Sequence, residues 1–310
     1  MEKIFRTLDE QISILQNKNL IIDDIEKTKN ILLRENYFFI MGYRYPFYRS
    51  NRDRVFVQNT NFEELYALFN FDRQIRNVFF KNILIVENNI KSIFSYQLSK
   101  NYGYKEKNYL NPKNFNQNPK KKKQVNDLLK KVERQIRING SQHSATQHYL
   151  SHYGYLPLWI VVKVLSFGII SELFTILKDE DQNDIANIFR MNKEDMIIYL
   201  PIVANYRNLC AHEDILYDHR SQRIIGDTPY HSLLNIPKMD GEYIYGKDDV
   251  FALIIILKQL LRADDFHMLI QELSYEIDVL AGKLKSIEIG KILDIMGFPE
   301  NYKDIIRTDV

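Results

Sequence analysis

The chain has few cysteines, glycines and prolines for its length. A single cysteine, Cys210, excludes an internal disulfide and a zinc site built on paired cysteines. Only 11 glycines and 8 prolines occur in 310 residues. So few helix breakers favour long helices over a sandwich of many short strands. The sequence therefore predicts an all-α protein.

The sequence also lacks a long apolar run. The most apolar stretch, Phe251 to Leu261, contains Lys258 and is far too short to span a bilayer. The first residues, MEKIFRTLDEQ, carry charges where a secretory signal would be apolar. We therefore expect a cytoplasmic protein with no membrane partner, folded as one large domain or as two intimately packed helical units.

Positive charge is concentrated in one part of the chain. The net charge is +2, yet 12 Lys/Arg and 3 Asp/Glu lie between Lys100 and Arg137, which leaves the rest of the chain acidic. A basic helix is predicted from Lys120 to Arg137, and Tyr104, Tyr109 and Phe115 precede it as rings that could stack on bases. The candidate RNA-binding residues are Lys120, Lys121, Lys122, Lys123, Lys130, Lys131, Arg134 and Arg137. The alternative is a solvated lysine-rich helix that binds no RNA.

Apolar residues recur at helical spacing through most of the chain. Asn61 and Asn192 are placed to cap two of the predicted helices, and the first of these runs to Lys100 either unbroken or with a break near Asn70. Residues 37–48 are predicted to form an irregular or short extended link, and residues 139–147 a flexible surface segment. Turn signals, among them Asp240-Gly241, predict a small hairpin within 214–248.

These patterns divide the chain into three segments. Residues 1–60 hold the N-terminal helices and an aromatic link. Residues 61–219 hold a helical core with a basic insertion at 101–147. Residues 220–310 hold an irregular segment and C-terminal helices that pack on the core.

The candidate catalytic residues are Arg207, Asn208 and His212, at the end of the helix that Asn192 caps. Metal-independent RNA cleavage needs groups that accept and donate protons near neutral pH, which histidine can do, and a cation at the phosphate. Arginine stays charged and presents a planar fork to phosphate oxygens. Asn208 and His212 are four residues apart and share a helix face, whereas Arg207 lies about 140° from His212 on an ideal helix. Arg207 must then reach in from the flank, or the helix must bend.

The spacing of arginine and histidine is not unique in this chain. Arg137 with His143 and Arg262 with His267 satisfy the same loose pattern, although neither arginine is followed by asparagine. The structural alternative for Arg207 is a helix-end arginine that pairs with Glu213 or Asp214.

Other polar residues are interpreted as structural. Asp72 and Glu87 are internal acidic positions, and we expect pairing with Arg73 or Arg76 more than a place at the site. His148 and His152 have a spacing that can bind metal, but no carboxylate or cysteine nearby completes a set. No metal and no other cofactor is expected.

Several segments, in order along the chain, resemble the Abi-like family, the AbiD/AbiF group of phage-defence proteins. The stretch ENYFFIMGYRYPF resembles the family's aromatic "YY-x-x-x-GY-x-x-PF" segment, and Phe69, Asp72, Arg76 and Glu87 match its next helix. The segment LPLWIVVKVLSFGII resembles "P-x-W-x-x-x-E-x-x-S-F-G", Arg207, Asn208, Ala211 and His212 match "RN-x-x-A-H", and IMGFPENYKDI resembles an "MGFP-x-x-W" ending. Lys91 stands where the family usually has arginine, and Lys163 where it usually has glutamate.

The resemblance implies an HEPN-like helical bundle with additional N- and C-terminal helices. It also implies that Arg207, Asn208 and His212 form an endoribonuclease site at a homodimer interface, in a toxin of abortive infection. RNA would be the substrate, and some related proteins resemble toxins restrained by a structured noncoding RNA. Two alternatives stay open: a non-catalytic RNA-binding module, and a toxin that acts by binding a phage or host protein.

Overall fold

The computed structural model describes residues 4–50 and 52–307, and these residues form an α-helical protein. The fifteen α-helices of this part of the chain are α1 (Leu8–Gln16), α2 (Ile25–Glu35), α3 (Tyr37–Met41), α4 (Phe62–Tyr102), α5 (Glu106–Tyr109), α6 (Lys122–Gly140), α7 (Ser144–Tyr153), α8 (Leu158–Val164), α9 (Phe167–Ile176), α10 (Asp179–Ile188), α11 (Lys193–Ala211), α12 (Pro229–Leu233), α13 (Val250–Leu260), α14 (Ala263–Ala281) and α15 (Ile289–Met296). Shorter 3-10 stretches cover Gly42–Phe47, Pro112–Asn114 and Tyr302–Arg307. The all-α prediction is confirmed.

Helix α4 lies at the centre of the fold. It runs unbroken for 41 residues, so the predicted alternative of a break near Asn70 is wrong. The Asn61 side chain accepts a hydrogen bond from the Glu63 N–H at its start, as predicted. Its apolar side chains, such as Phe79, Ile83 and Val86, are fully buried because α8, α11 and α14 pack around it. This helix gives the other elements a common support.

The aromatic segment 37–48 is helical, and the prediction of an irregular or extended link is wrong. The Asn36 side chain accepts a hydrogen bond from the Phe38 N–H and so starts α3, and a 3-10 stretch continues to Phe47. A Cβ at Gly42 would lie 2.5 Å from Ile215 Cδ1. Glycine at this position therefore lets the segment approach the chain that follows α11.

The predicted hairpin is present, and it is small. Strand β1 (Lys238–Met239) pairs antiparallel with β2 (Glu242–Tyr243), with Lys238 opposite Tyr243. Asp240 and Gly241 both have positive φ angles, of 52° and 89°, as a two-residue type I′ turn requires.

The segment 139–147, predicted to be a flexible surface segment, is partly helical. The His143 side chain accepts a hydrogen bond from the Ala145 N–H, and α7 begins at Ser144.

Among the helices described, none has the length and apolar character needed to cross a membrane. The division into three segments stays a prediction.

Candidate active site

Helix α11 carries Arg207 and Asn208 near its C-terminal end and ends just before His212. The Asn192 side chain caps its first turn through the Asp195 N–H, as predicted. His212 is the first residue past the helix, and its N–H still donates to the Asn208 carbonyl over 2.9 Å. Glu213 then adopts a φ of 58°, which turns the chain away. All three candidate residues therefore lie at the C-terminal end of α11.

Arg207 contacts α4, and among the described residues it forms no ion pair with the carboxylates that follow α11. Its Nε lies 3.4 Å from Glu87 Oε2, and its guanidinium lies 5.6 Å from the centre of the Phe80 ring. The alternative predicted that Arg207 pairs with Glu213 or Asp214. An ion pair is present, but its carboxylate is that of Glu87. Glu87, for which the sequence favoured a structural role over a place at the site, contacts Arg207 directly.

Lys91 shares the same carboxylate. Its Nζ donates to Glu87 Oε1 over 2.7 Å, one helical turn from Glu87. Two cations, Lys91 and Arg207, thus contact one buried carboxylate, and the three side chains together carry one net positive charge. Lys91 stands where the resemblance noted above implies an arginine, and as a cation it can form this ion pair. The spacing of four residues between Glu87 and Lys91, together with the resemblance of this helix to the family's, could have predicted their ion pair from the sequence.

The ion pair between Arg207 and Glu87 is incompletely satisfied. Arg207 Nε and Glu87 Oε2 are both buried, and within the described residues neither makes a hydrogen bond of acceptable geometry. Buried polar atoms without such a partner are uncommon in folded proteins, and each one calls for an explanation, of which a binding or catalytic role is one. The Arg207 side chain is still 35% exposed, so part of it faces solvent.

Asn208 and His212 are both exposed. Among the described residues, no side-chain hydrogen bond or ion pair joins Arg207, Asn208 and His212 to one another. The structure brings the three to one helix end without linking their side chains. An exposed imidazole near a positively charged group can hold a phosphate ester and exchange a proton with it.

A buried carboxylate, Asp72 on α4, holds the chain that follows His212. It accepts hydrogen bonds from the Tyr217 N–H over 2.7 Å and from the Leu216 N–H over 3.2 Å. The Tyr43 hydroxyl donates to it over 2.7 Å, and Arg76 forms an ion pair with it. The predicted pairing of Asp72 with Arg76 is confirmed.

Arg76 extends this network by donating to the Asp214 carbonyl over 3.3 Å. Burial raises the pKa of Asp72 to about 6, against the opposing charge of Arg76. The network therefore ties α4 and the aromatic segment to the turn beside the candidate site. Arg73, by contrast, pairs with Glu35 over 2.6 Å.

The basic helix is present as α6, and its candidate residues differ in environment. Lys121 donates to the Thr175 carbonyl and Lys131 pairs with Glu172 over 2.7 Å. The others are exposed, and none has an ion pair within the described residues: Lys120, Lys122, Lys123, Lys130, Arg134 and Arg137. The buried face of α6, with Val125 and Leu129, packs on α8 and α9.

Two of the three rings predicted to stack on bases are in the core. Tyr109 and Phe115 are each only 3% exposed, and the Tyr109 hydroxyl donates to the Leu156 carbonyl. The basic segment folds back on the core here, so its apolar rings are buried. Tyr104 is 41% exposed and remains available.

The remaining sequence candidates have structural environments. His148 and His152 are one helical turn apart with ring centres separated by 4.2 Å. No group of three or more metal-binding side chains was found among the described residues. Cys210 is buried, and burial raises the pKa of its thiol to about 12, which leaves it protonated at neutral pH. Lys163 is exposed.

The comparisons with known proteins identify a family. No curated protein and no solved structure shows a significant match to the chain. A family model described as "Abi-like protein" matches residues 30–218, which is more than half of the chain. The matched range includes the aromatic segment, Asp72, Glu87 and the Arg207–His212 motif, but not the segment around Gly297. The chain therefore belongs to the Abi-like protein family.

Proposed function

We propose that this protein is an endoribonuclease toxin of abortive infection, and that Arg207, Asn208 and His212 form its catalytic site. Membership in the Abi-like family supports the coarser role in phage defence. The observation that carries the proposal is an exposed His212 at the helix end where Arg207 is held by the buried Glu87.

The chemistry requires a proton acceptor at the 2′-hydroxyl and a proton donor at the leaving 5′-oxygen. His212 can take either role near neutral pH. The net positive charge of Arg207, Lys91 and Glu87 would stabilise the phosphate as negative charge develops. Asn208 would orient the phosphate or the imidazole. The cleavage would leave a 2′,3′-cyclic phosphate and would need no metal ion.

One histidine cannot easily act as acid and base in the same step. A second copy of the chain, facing the first across an HEPN-like interface, would supply the other imidazole. We therefore propose a homodimer as the active species. A noncoding RNA that restrains the toxin would compete for the same surface.

The test is cleavage of RNA by purified His212→Ala. We expect loss of activity of about a hundredfold or more, since positioned proton transfer contributes about 10²–10⁴-fold. His267→Ala is the matched control, because Arg262 and His267 have the same spacing at the start of α14 and no place in the site. Full cleavage by His212→Ala, or loss of wild-type cleavage on chelation of divalent metal, would refute the mechanism.

Mixed dimers test the proposed partner. Wild-type chain is co-expressed with an excess of His212→Ala, and the dimers are purified together. If two imidazoles are needed, activity falls with the square of the wild-type fraction. A linear fall shows that each chain acts alone. If intact RNA co-purifies with the wild type and no cyclic phosphate ends form, the protein is an RNA-binding module without nuclease activity.

A further inference from the structure

Aromatic rings form a continuous row on a part of the molecule that the proposed catalytic site does not use; all are exposed except Tyr149 and Tyr155, which are half-buried. We call it the aromatic row, and it consists of His148, Tyr149, His152 and Tyr153 on α7, Tyr155 after it, Trp159 on α8, and Tyr104 after α4. Neighbouring ring centres are 4.2 Å apart for His148 and His152, and 5.2 Å apart for Tyr149 and Tyr153. The row continues from Tyr153 to Tyr155 over 6.3 Å.

Its other end is built by residues distant in sequence. Tyr104 lies 5.7 Å from both Tyr155 and Trp159, measured between ring centres. The Leu156 N–H donates to the Glu106 carboxylate, which joins the chain after α4 to the chain before α8. The local fold therefore holds the row in place.

The largest exposed rings of the row leave much of their surface uncovered. Tyr153 is 57% exposed, and Trp159 is 44% exposed. Large aromatic side chains normally bury most of their surface. A contiguous exposed patch of this kind is typical of a binding surface.

Positive charge accompanies the row. Lys105 Nζ lies 4.7 Å from the centre of the Tyr155 ring, and Lys107 nearby is exposed. Helix α6 leads directly into α7 and packs against α8, so its cations lie on elements that adjoin the row. A single-stranded nucleic acid, in which charged phosphates alternate with flat bases, complements a surface of cations and rings. An apolar protein partner would not account for the cations.

We propose that the aromatic row binds unpaired bases of single-stranded RNA while the neighbouring lysines and arginines bind its phosphates. The proposal rests on the proposed function in taking RNA as the ligand. A duplex hides the faces of its bases, so the row selects single-stranded over double-stranded RNA. It defines a binding site separate from the residues that cut.

Trp159 provides the first measurement, because it is the only tryptophan in the chain. The His212→Ala protein is titrated with oligouridylate, so that no cleavage interferes. We expect quenching of tryptophan fluorescence by the single strand and none by the same strand paired with oligoadenylate. Equal binding of the duplex would show that phosphates alone are recognised, and would overturn the proposal.

Substitutions give the second measurement, by anisotropy of labelled oligouridylate in the same background. Tyr153→Leu and Tyr104→Leu should each weaken binding about fivefold or more, as expected for one lost stacking contact. Tyr153→Phe keeps the ring and should bind like the parent. Tyr275→Leu is the control, since Tyr275 is 66% exposed on α14. Circular dichroism checks that each variant is folded.

The outcomes separate this proposal from the nuclease proposal. If Tyr153→Leu binds RNA unchanged, or loses a protein partner instead, the row does not bind bases. If the row binds oligouridylate but the wild type cuts no RNA, the nuclease proposal fails and the row proposal stands. If cleavage depends on His212 while row variants bind RNA normally, the row proposal fails and the nuclease proposal stands.

Discussion

Asp72 is a buried carboxylate that joins three separate parts of the chain. Its four donors come from the aromatic segment, from its own helix and from the turn after His212. Removing the carboxylate would leave the Arg76 charge and two backbone N–H groups without their partner. The penalty for such isolated groups is larger than the net benefit of the original pair.

We therefore expect Asp72→Ala to lower the free energy of unfolding by about 3–5 kcal/mol. Urea denaturation measures the loss, and hydrogen exchange should show faster exchange at the Leu216 and Tyr217 amides. Asp72→Asn keeps the shape and should cost less. A loss below about 1 kcal/mol for the alanine variant, which is an ordinary value for a substitution, would contradict this role of Asp72.

Glu87 shows why single residues of the site escaped prediction. Its spacing to Lys91 is visible in the sequence as an ordinary pair within one helix. Its contact with Arg207 joins residues 120 positions apart, on α4 and α11. Only the packing of these two helices creates that contact.

Helix α6 presents its free cations as a stripe. Lys123, Lys130, Arg134 and Arg137 fall within about 60° of one another on a 3.6-residue helix, over about 20 Å of its length. The amphipathic pattern determines this arrangement, since the opposite face is needed for the core. The stripe has the form expected of a surface that follows a phosphate backbone.

Replacing all four stripe residues by glutamine should weaken RNA binding and its dependence on salt. For single strands, the slope of log K against log salt changes by about 0.7 for each phosphate contact removed. A change of about 3 is expected if all four bind phosphates. The single variants Lys130→Gln and Lys131→Gln are a matched pair, because Lys131 already pairs with Glu172. Equal effects of the two would argue against a defined stripe.

Helix α4 and the aromatic segment illustrate what patterns reveal about elements. The cap at Asn61 and the apolar periodicity correctly predicted a helix ending near residue 100. The aromatic segment was wrongly predicted because Gly42 and Pro46 look like breakers. Its Asn36 cap and the close approach of Gly42 to Ile215 decide the helical form.

His231 is a fully buried imidazole, and its burial couples the stability of the whole molecule to pH. Its Nδ1 accepts a hydrogen bond from the Thr228 N–H over 3.0 Å, and its Nε2 lies 2.9 Å from the Gly246 carbonyl oxygen. Burial lowers the pKa of this imidazole below its usual 6.5. The folded protein therefore binds this proton more weakly than the unfolded chain, which takes up a proton as the pH falls below about 6.5.

We expect the stability that His231 provides to decline as the pH falls below about 6.5, where the unfolded chain takes up a proton and the folded protein resists doing so. The measurement is the difference in unfolding free energy between wild type and His231→Gln at several pH values. Taking the difference cancels the carboxyls of Asp72 and Asp249, whose pKa values burial raises to about 6. A difference that does not vary with pH would contradict the expectation.

Gly297 shows a constraint that only the assembled molecule explains. It has a φ of 77°, and a Cβ there would overlap the Asp249 carboxylate, which caps α13 by accepting from the Ala252 N–H. The glycine of the MGFP segment thus allows the C-terminal part of the chain to pack on α13. The sequence alone identifies Gly297 only as a residue that ends a helix.

The sequence by itself determined most of the helices, the caps at Asn61 and Asn192 and the hairpin turn, because these depend on neighbours within a few residues. It also determined which residue types were available at Arg207, Asn208 and His212. The tertiary structure decided that Glu87 holds Arg207, that Tyr109 and Phe115 are buried while Tyr104, Tyr153 and Trp159 are not, and that Asp72 fixes the turn after His212. These depend on contacts between helices far apart in the chain, which periodicity does not specify.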